Sequence, residues 1–113
     1  MSRNPRKKSA EDENAAAMAD EFIALERKGD TPGLTAWCFA HETLDARSLG
    51  EFLLALKRRY AALLASQQDK MRIMDIIRLV DRCMEYQTVN TGVKHILGLL
   101  AVRSAAETRK AID

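Results

Sequence analysis

The sequence predicts an all-α protein: a compact bundle of about five helices, mostly antiparallel to their neighbours in the chain. Three observations carry this. Aliphatic residues and alanine supply most of the apolar content, aromatic residues are sparse, and only two prolines and five glycines interrupt 113 residues. Apolar positions recur at the i, i+3, i+4, i+7 spacing of one helical face through most of the chain. Short polar segments separate these stripes, and short connections between helices favour antiparallel packing.

Residues 1–8 lack periodicity and contain Pro5, Arg3, Arg6, Lys7 and Lys8, so they are expected to form a disordered basic tail. The bundle is expected over residues 9–107, with a polar C-terminal tail at 108–113. Ser9 can cap a first helix from Glu11 to Lys28, where Glu11, Asp12 and Glu13 suit the helix dipole and Met18, Phe22 and Leu25 form the apolar side. Gly29 ends this helix by taking a left-handed conformation.

Thr31 can cap a second helix whose first position, Pro32, has no amide proton to leave unpaired. It runs to about Thr43, with Leu34, Trp37, Cys38 and Phe39 as its apolar members. Asp45 is the next capping residue, and Leu49, Phe52, Leu53, Leu56, Tyr60, Leu63 and Leu64 follow helical spacing without a break. Ser66 to Asp69 loosen the pattern. Ile73, Ile76, Ile77, Val80, Cys83 and Met84 then mark a fourth helix ending near Gln87. After a turn at Thr88–Asn90, Asn90 or Thr91 caps a fifth helix carrying Val93, Ile96, Leu97 and Leu100. The expected core is Leu53, Leu56, Tyr60, Ile76, Ile77, Val80, Ile96 and Leu97.

The same residues argue against catalysis. Cys38 and His41 lie three apart, and Cys83 and His95 could converge with them, but structural zinc sits on paired short Cys/His spacings and only one such pair exists. Both cysteines fall on apolar stripes, where burial disfavours the thiolate that a nucleophile needs. The acidic cluster at Glu11–Glu13 is expected to be solvated, so no acid–base pair is defended there. No glycine-rich turn precedes a Lys-Ser/Thr pair, so no phosphate-cradling loop is present. The expectation is a non-enzyme with no catalytic, cofactor or metal residues. Absence of a secretory signal or a membrane-length apolar run points to a reduced, cytoplasmic setting.

A net charge of +2 makes the whole chain no electrostatic clamp for nucleic acid. Arg58, Arg59, Arg72 and Arg78, with Lys57 and Arg82, are the candidate nucleic-acid contacts, but they are mixed with acids and lack interleaved exposed aromatics. A salt-bridged surface is the preferred reading. The fifth helix carries more apolar positions than one stripe can use. Leu99 and Val102 point away from the Ile96/Leu100 line, so at least one should stay exposed. With Lys94, His95 and Arg103 around them, they form the expected protein interface, an apolar centre with a polar rim. The first helix covering this face is the alternative.

Two segments resemble a known family. Phe22 to Leu34 (FIALERKGDTPGL), with the Leu49–Leu64 stripe after it, resembles the opening of the C-terminal helical collar domain of the bacterial DNA polymerase III clamp-loader δ′ subunit family. Arg72 to Leu100 (RIMDIIRLVDRCMEYQTVNTGVKHILGLL) is similar to that family's last two helices, an apolar helix, an Asn-containing turn and a Leu-rich helix. The resemblance spans about residues 18–104. It implies a five-helix domain that oligomerises with counterparts in other subunits of a loader acting in DNA replication. The family's nucleotide-binding module, phosphate loop and zinc cysteines are missing, and Gly92 and Val93 stand where a Pro-Arg pair is usual. The chain would then be the collar alone, either as part of a longer protein or as a stand-alone relative. A small helical subunit of a CRISPR effector complex, or a helical regulator acting by protein contacts alone, remains a competing expectation.

Overall fold

In a computed structural model, which describes residues 6–66, 70–89 and 92–112, five helices form: α1 (Arg6–Lys28), α2 (Thr31–His41), α3 (Ala46–Ser66), α4 (Lys70–Thr88) and α5 (Val93–Ile112). The all-α bundle is therefore as the periodicity predicts. Helices reach into both expected tails. Residues 6–8 belong to α1 and residues 108–112 to α5. Neither stretch contains a Gly or Pro, and Arg, Lys, Glu and Ala all propagate a helix without needing an apolar face. Starting α1 at Arg6 also leaves no acidic residue in its first turn, so Glu11, Asp12 and Glu13 lie beyond the strongest part of the dipole. Residues 1–5 and 113 lie outside the described residues.

The corner between α1 and α2 is built by two adjacent residues. Gly29 takes φ 71°, its N–H donates to the Glu26 carbonyl at 3.0 Å, and the Asp30 N–H donates to the Leu25 carbonyl at 3.1 Å. These are the two bonds of a Schellman motif. The Asp30 side chain then accepts from the Gly33 N–H at 2.9 Å and caps α2, so the cap is Asp30 rather than Thr31, and Pro32 occupies the second helical position. Asp45 caps α3 as expected, with its carboxylate accepting from the Ser48 N–H at 2.7 Å; this bond holds its pKa below the usual value. For α5, the Gly92 carbonyl accepts the first intrahelical bond, from Ile96 at 3.1 Å, which places the cap at Gly92; the predicted caps Asn90 and Thr91 lie outside the described residues.

Chain direction alternates. Gly33 abuts Leu25 and Trp37 abuts Phe22, so α2 runs back along α1. Phe22 meets Phe52 while Glu26 meets Tyr60, so α3 returns parallel to α1. Lys57 pairs with Asp81 at 2.7 Å, and the Gln87 side chain donates to the Ala46 carbonyl, so α4 is antiparallel to α3. A connection of only four residues, 89–92, folds α5 back along α4, and α5 packs on α2 with its other side. Thus α1, α3 and α5 run one way, and α2 and α4 the other.

Seven of the eight expected core residues are buried; Ile77 is half-buried and packs at the edge. Phe22, Trp37 and Phe52 join α1, α2 and α3 with ring centroids 5.1–6.1 Å apart, a spacing favourable to aromatic pairs. Phe39, expected with the apolar members of α2, instead lies 65% exposed. At one end of the core, Glu26 is fully buried. It accepts from the Tyr60 hydroxyl at 2.7 Å and from the Arg72 guanidinium, which joins α1, α3 and α4 by a polar network.

A candidate interaction face between α2 and α5

Side by side and antiparallel, α2 and α5 leave a groove of roughly 180 Å³ between them, lined by Thr35, Cys38, Phe39 and Glu42 from α2 and by Lys94, Gly98, Ala101 and Val102 from α5. The register follows from one bond. The Cys38 thiol donates to the Leu97 carbonyl at 3.2 Å, which ties the middle of α2 to the middle of α5. The C-terminal end of α2 lies near the start of α3, which the Gln87 contact places beside the end of α4 and hence near the start of α5. Glu42 and Lys94 therefore share one end of the groove, Phe39 faces Gly98 near its middle, and Thr35 faces Ala101 and Val102 at the other end.

The lips are apolar and open. Phe39 is 65% and Val102 68% exposed. At Gly98 the floor is open too: a Cβ built there would meet nothing within 4 Å. An exposed Phe ring beside a hole is costly to leave in water, on the order of 1.5–3 kcal/mol for a side chain of this size. The groove therefore presents an apolar rim to solvent.

Burial pushes the Cys38 thiol up to about 11, so it stays protonated at neutral pH, and the same cause raises Cys83 to about 11. The imidazole of His41 stacks on Trp37 at 4.2 Å, and its Nδ1–H donates to the Trp37 carbonyl at 2.8 Å. Among the described residues no three His, Cys, Asp or Glu side chains gather as a metal site would require.

Of the five residues expected at the interface, the structure brings Lys94 and Val102 to this groove. His95 and Arg103 are exposed on α5 but do not line it, and Leu99 is half-buried against the core, so Val102 is the residue that stays out. The neighbour along this side is α2, not the first helix over its whole length. Sequence reasoning missed the α2 wall, Phe39 above all.

The four candidate nucleic-acid contacts do not gather. Arg72 is turned inward onto buried Glu26, its side chain only 9% exposed, which corrects its placement on the surface. Arg59 pairs with Asp20 of α1 at 3.3 Å, and Arg78 with Asp75 one turn away at 3.6 Å. Arg58 and Arg59 border a second groove between α1 and α3, of roughly 370 Å³, lined also by Ala15, Ala16, Ala55 and Ala62. Arg59, Arg72 and Arg78 are each held by an acid, and Arg72 points inward, so the four form no single exposed stripe.

No protein-family model matches this chain, and neither the curated proteins nor the solved structures compared with it gave a match. What the fold and the face define is a class: an all-α helical bundle with an open apolar groove between two antiparallel helices. Among the described residues, no helix is long and apolar enough to cross a membrane.

Proposed function

We propose that this chain is a non-catalytic helical interaction module of the cytoplasm, and that the α2/α5 face is its working surface. The observation that carries this is the pair of exposed apolar lips, Phe39 and Val102, over an open floor at Gly98. Protein interfaces centre on such an apolar patch, with an aromatic anchor and a polar rim, here Thr35, Glu42 and Lys94. The resemblance of Phe22–Leu34 and Arg72–Leu100 to the clamp-loader δ′ collar supplies the kind of partner: a helical domain of another loader subunit, in DNA replication.

Pairing of Arg59, Arg72 and Arg78 with acids weighs against a strand-binding role, because a nucleic-acid surface needs its cations available for phosphates. The test is capture of purified clamp-loader subunits by the full chain, with Phe39→Asp and Val102→Glu as variants. Both positions are mostly exposed, so an unchanged helical spectrum is expected. Binding lost in both variants supports the reading; binding kept in both refutes it.

A further inference from the structure

The two walls of the groove are complementary to each other. On α2 stand, in order, Thr35, Phe39 and Glu42; level with them on antiparallel α5 stand Ala101 with Val102, then Gly98, then Lys94. A two-fold axis laid along the groove, parallel to both helices, exchanges the α2 wall for the α5 wall at constant level. It therefore sets the Phe39 ring of each copy over the open floor at the other's Gly98. It also sets each Glu42 carboxylate over the other's Lys94 ammonium. Shape and charge are matched by the same operation, which is the requirement for an isologous interface.

Resting on the reading of this face as the working surface, we propose that a second copy of this chain competes with a loader subunit for it, so that the protein on its own pairs with itself about that axis. Both charges are available for the contact: among the described residues neither Glu42 nor Lys94 has an ion-pair partner in its own chain. Phe39 supplies the knob, and the missing side chain at Gly98 supplies the hole. A glycine inside a helix carries a helix-propensity cost relative to alanine. Room for a partner's ring gives that cost a purpose here.

Sedimentation velocity of the full chain across a concentration series tests this. The expected result is a concentration-dependent doubling of mass, with Phe39→Asp raising the dissociation constant at least tenfold while circular dichroism stays unchanged. Charge variants distinguish pairing from any effect within one chain. A chain with Glu42→Lys carries two lysines at that end of the groove, and a chain with Lys94→Glu carries two glutamates. Each alone should self-associate at least tenfold more weakly, and an equimolar mixture of the two should recover the dimer. A wild-type chain that stays monomeric throughout the series, or variants that fail to complement on mixing, overturns the proposal. If the chain is monomeric yet loses a loader subunit on Phe39→Asp, the second copy is refuted and the working face stands; if Phe39→Asp changes neither, both fall.

Discussion

Replacing Tyr60 by Phe removes one hydroxyl from the buried end of the core and changes little else, since the ring stays packed among α1, α3 and α4. The lost bond is the 2.7 Å donation to Glu26, a carboxylate with no exposed surface. Hydrogen bonds to charged groups contribute about 1.5–3 kcal/mol, and a buried acceptor deprived of a donor cannot turn to water instead. For a chain of 113 residues, an unfolding entropy of about 2.1 cal/mol/K per residue makes each kcal/mol worth roughly 4 °C. The expected loss in Tm is therefore about 6–12 °C, read by calorimetry at pH 7. The alkaline limb adds a second readout. Burial first, then the Glu26 charge and hydrogen bond, raise the Tyr60 pKa well above its ordinary value near 10. The folded state thus holds a proton that the unfolded chain releases, so this stability is complete below about pH 10. It is lost above that pH by up to about 1.4 kcal/mol per unit until the folded pKa is reached. Tyr60→Phe should flatten that limb. A Tm within about 2 °C of wild type, or an unchanged alkaline slope, would refute the assignment of this network as a stabilising contact.

Two glycines should respond to alanine in opposite directions. At Gly33 a Cβ would stand 2.3 Å from the capping carboxylate of Asp30 and 2.9 Å from a Leu25 methyl, so Gly33→Ala should destabilise by on the order of 1–3 kcal/mol in denaturant titration. Gly98→Ala meets open space inside a helix, so it should stabilise by about 0.5–1 kcal/mol, measured in the Phe39→Asp background so that any self-pairing is weakened. Leu56→Ala, at a fully buried position, should cost about 2–5 kcal/mol; a smaller loss would show that the core relaxes around the cavity. Cys83, fully buried and pushed up to about 11, should react with a thiol reagent at pH 8 only at the rate of unfolding, and prompt labelling under native conditions would contradict its burial.

The helices and most of the core were legible because long amphipathic stripes declare their inward face. Leu49 to Tyr60 and Ile73 to Cys83 are cases in which periodicity and burial agree at every stripe position but Ile77, which is half-buried. Helix ends were less legible, since Arg6–Lys8 and the stretch to Ile112 extend helices with polar residues that carry no stripe. Half of the candidate face was visible as surplus apolar residues on the fifth helix. The other half was hidden because α2 is apolar nearly all round: in LTAWCFA no polar side marks which way Phe39 points, and only docking against α1 and α5 decides it. Glu26 was hidden for a different reason. It follows Ala15, Ala19 and Phe22 at helical spacing, so it stands on the buried stripe, but the partners that make a buried acid tolerable lie 34 and 46 residues away. Pattern within one helix shows that such a residue is odd; it cannot show what satisfies it.

With 11 residues, α2 is shorter than a helix that holds together alone in water, and its order is borrowed from neighbours: the Asp30 cap at one end, the Trp37 ring in the aromatic cluster, and the Cys38 thiol on Leu97. The groove wall is therefore also the part of the bundle that opens at least cost. Its amides should exchange with solvent through local opening well below the free energy of global unfolding, while those of α3 and α4 wait for the whole bundle. Whatever docks between α2 and α5 closes that opening, so occupancy of the face would be recorded as slowed exchange along Thr31–His41. The protein would thereby convert a surface contact into order in its least self-sufficient helix.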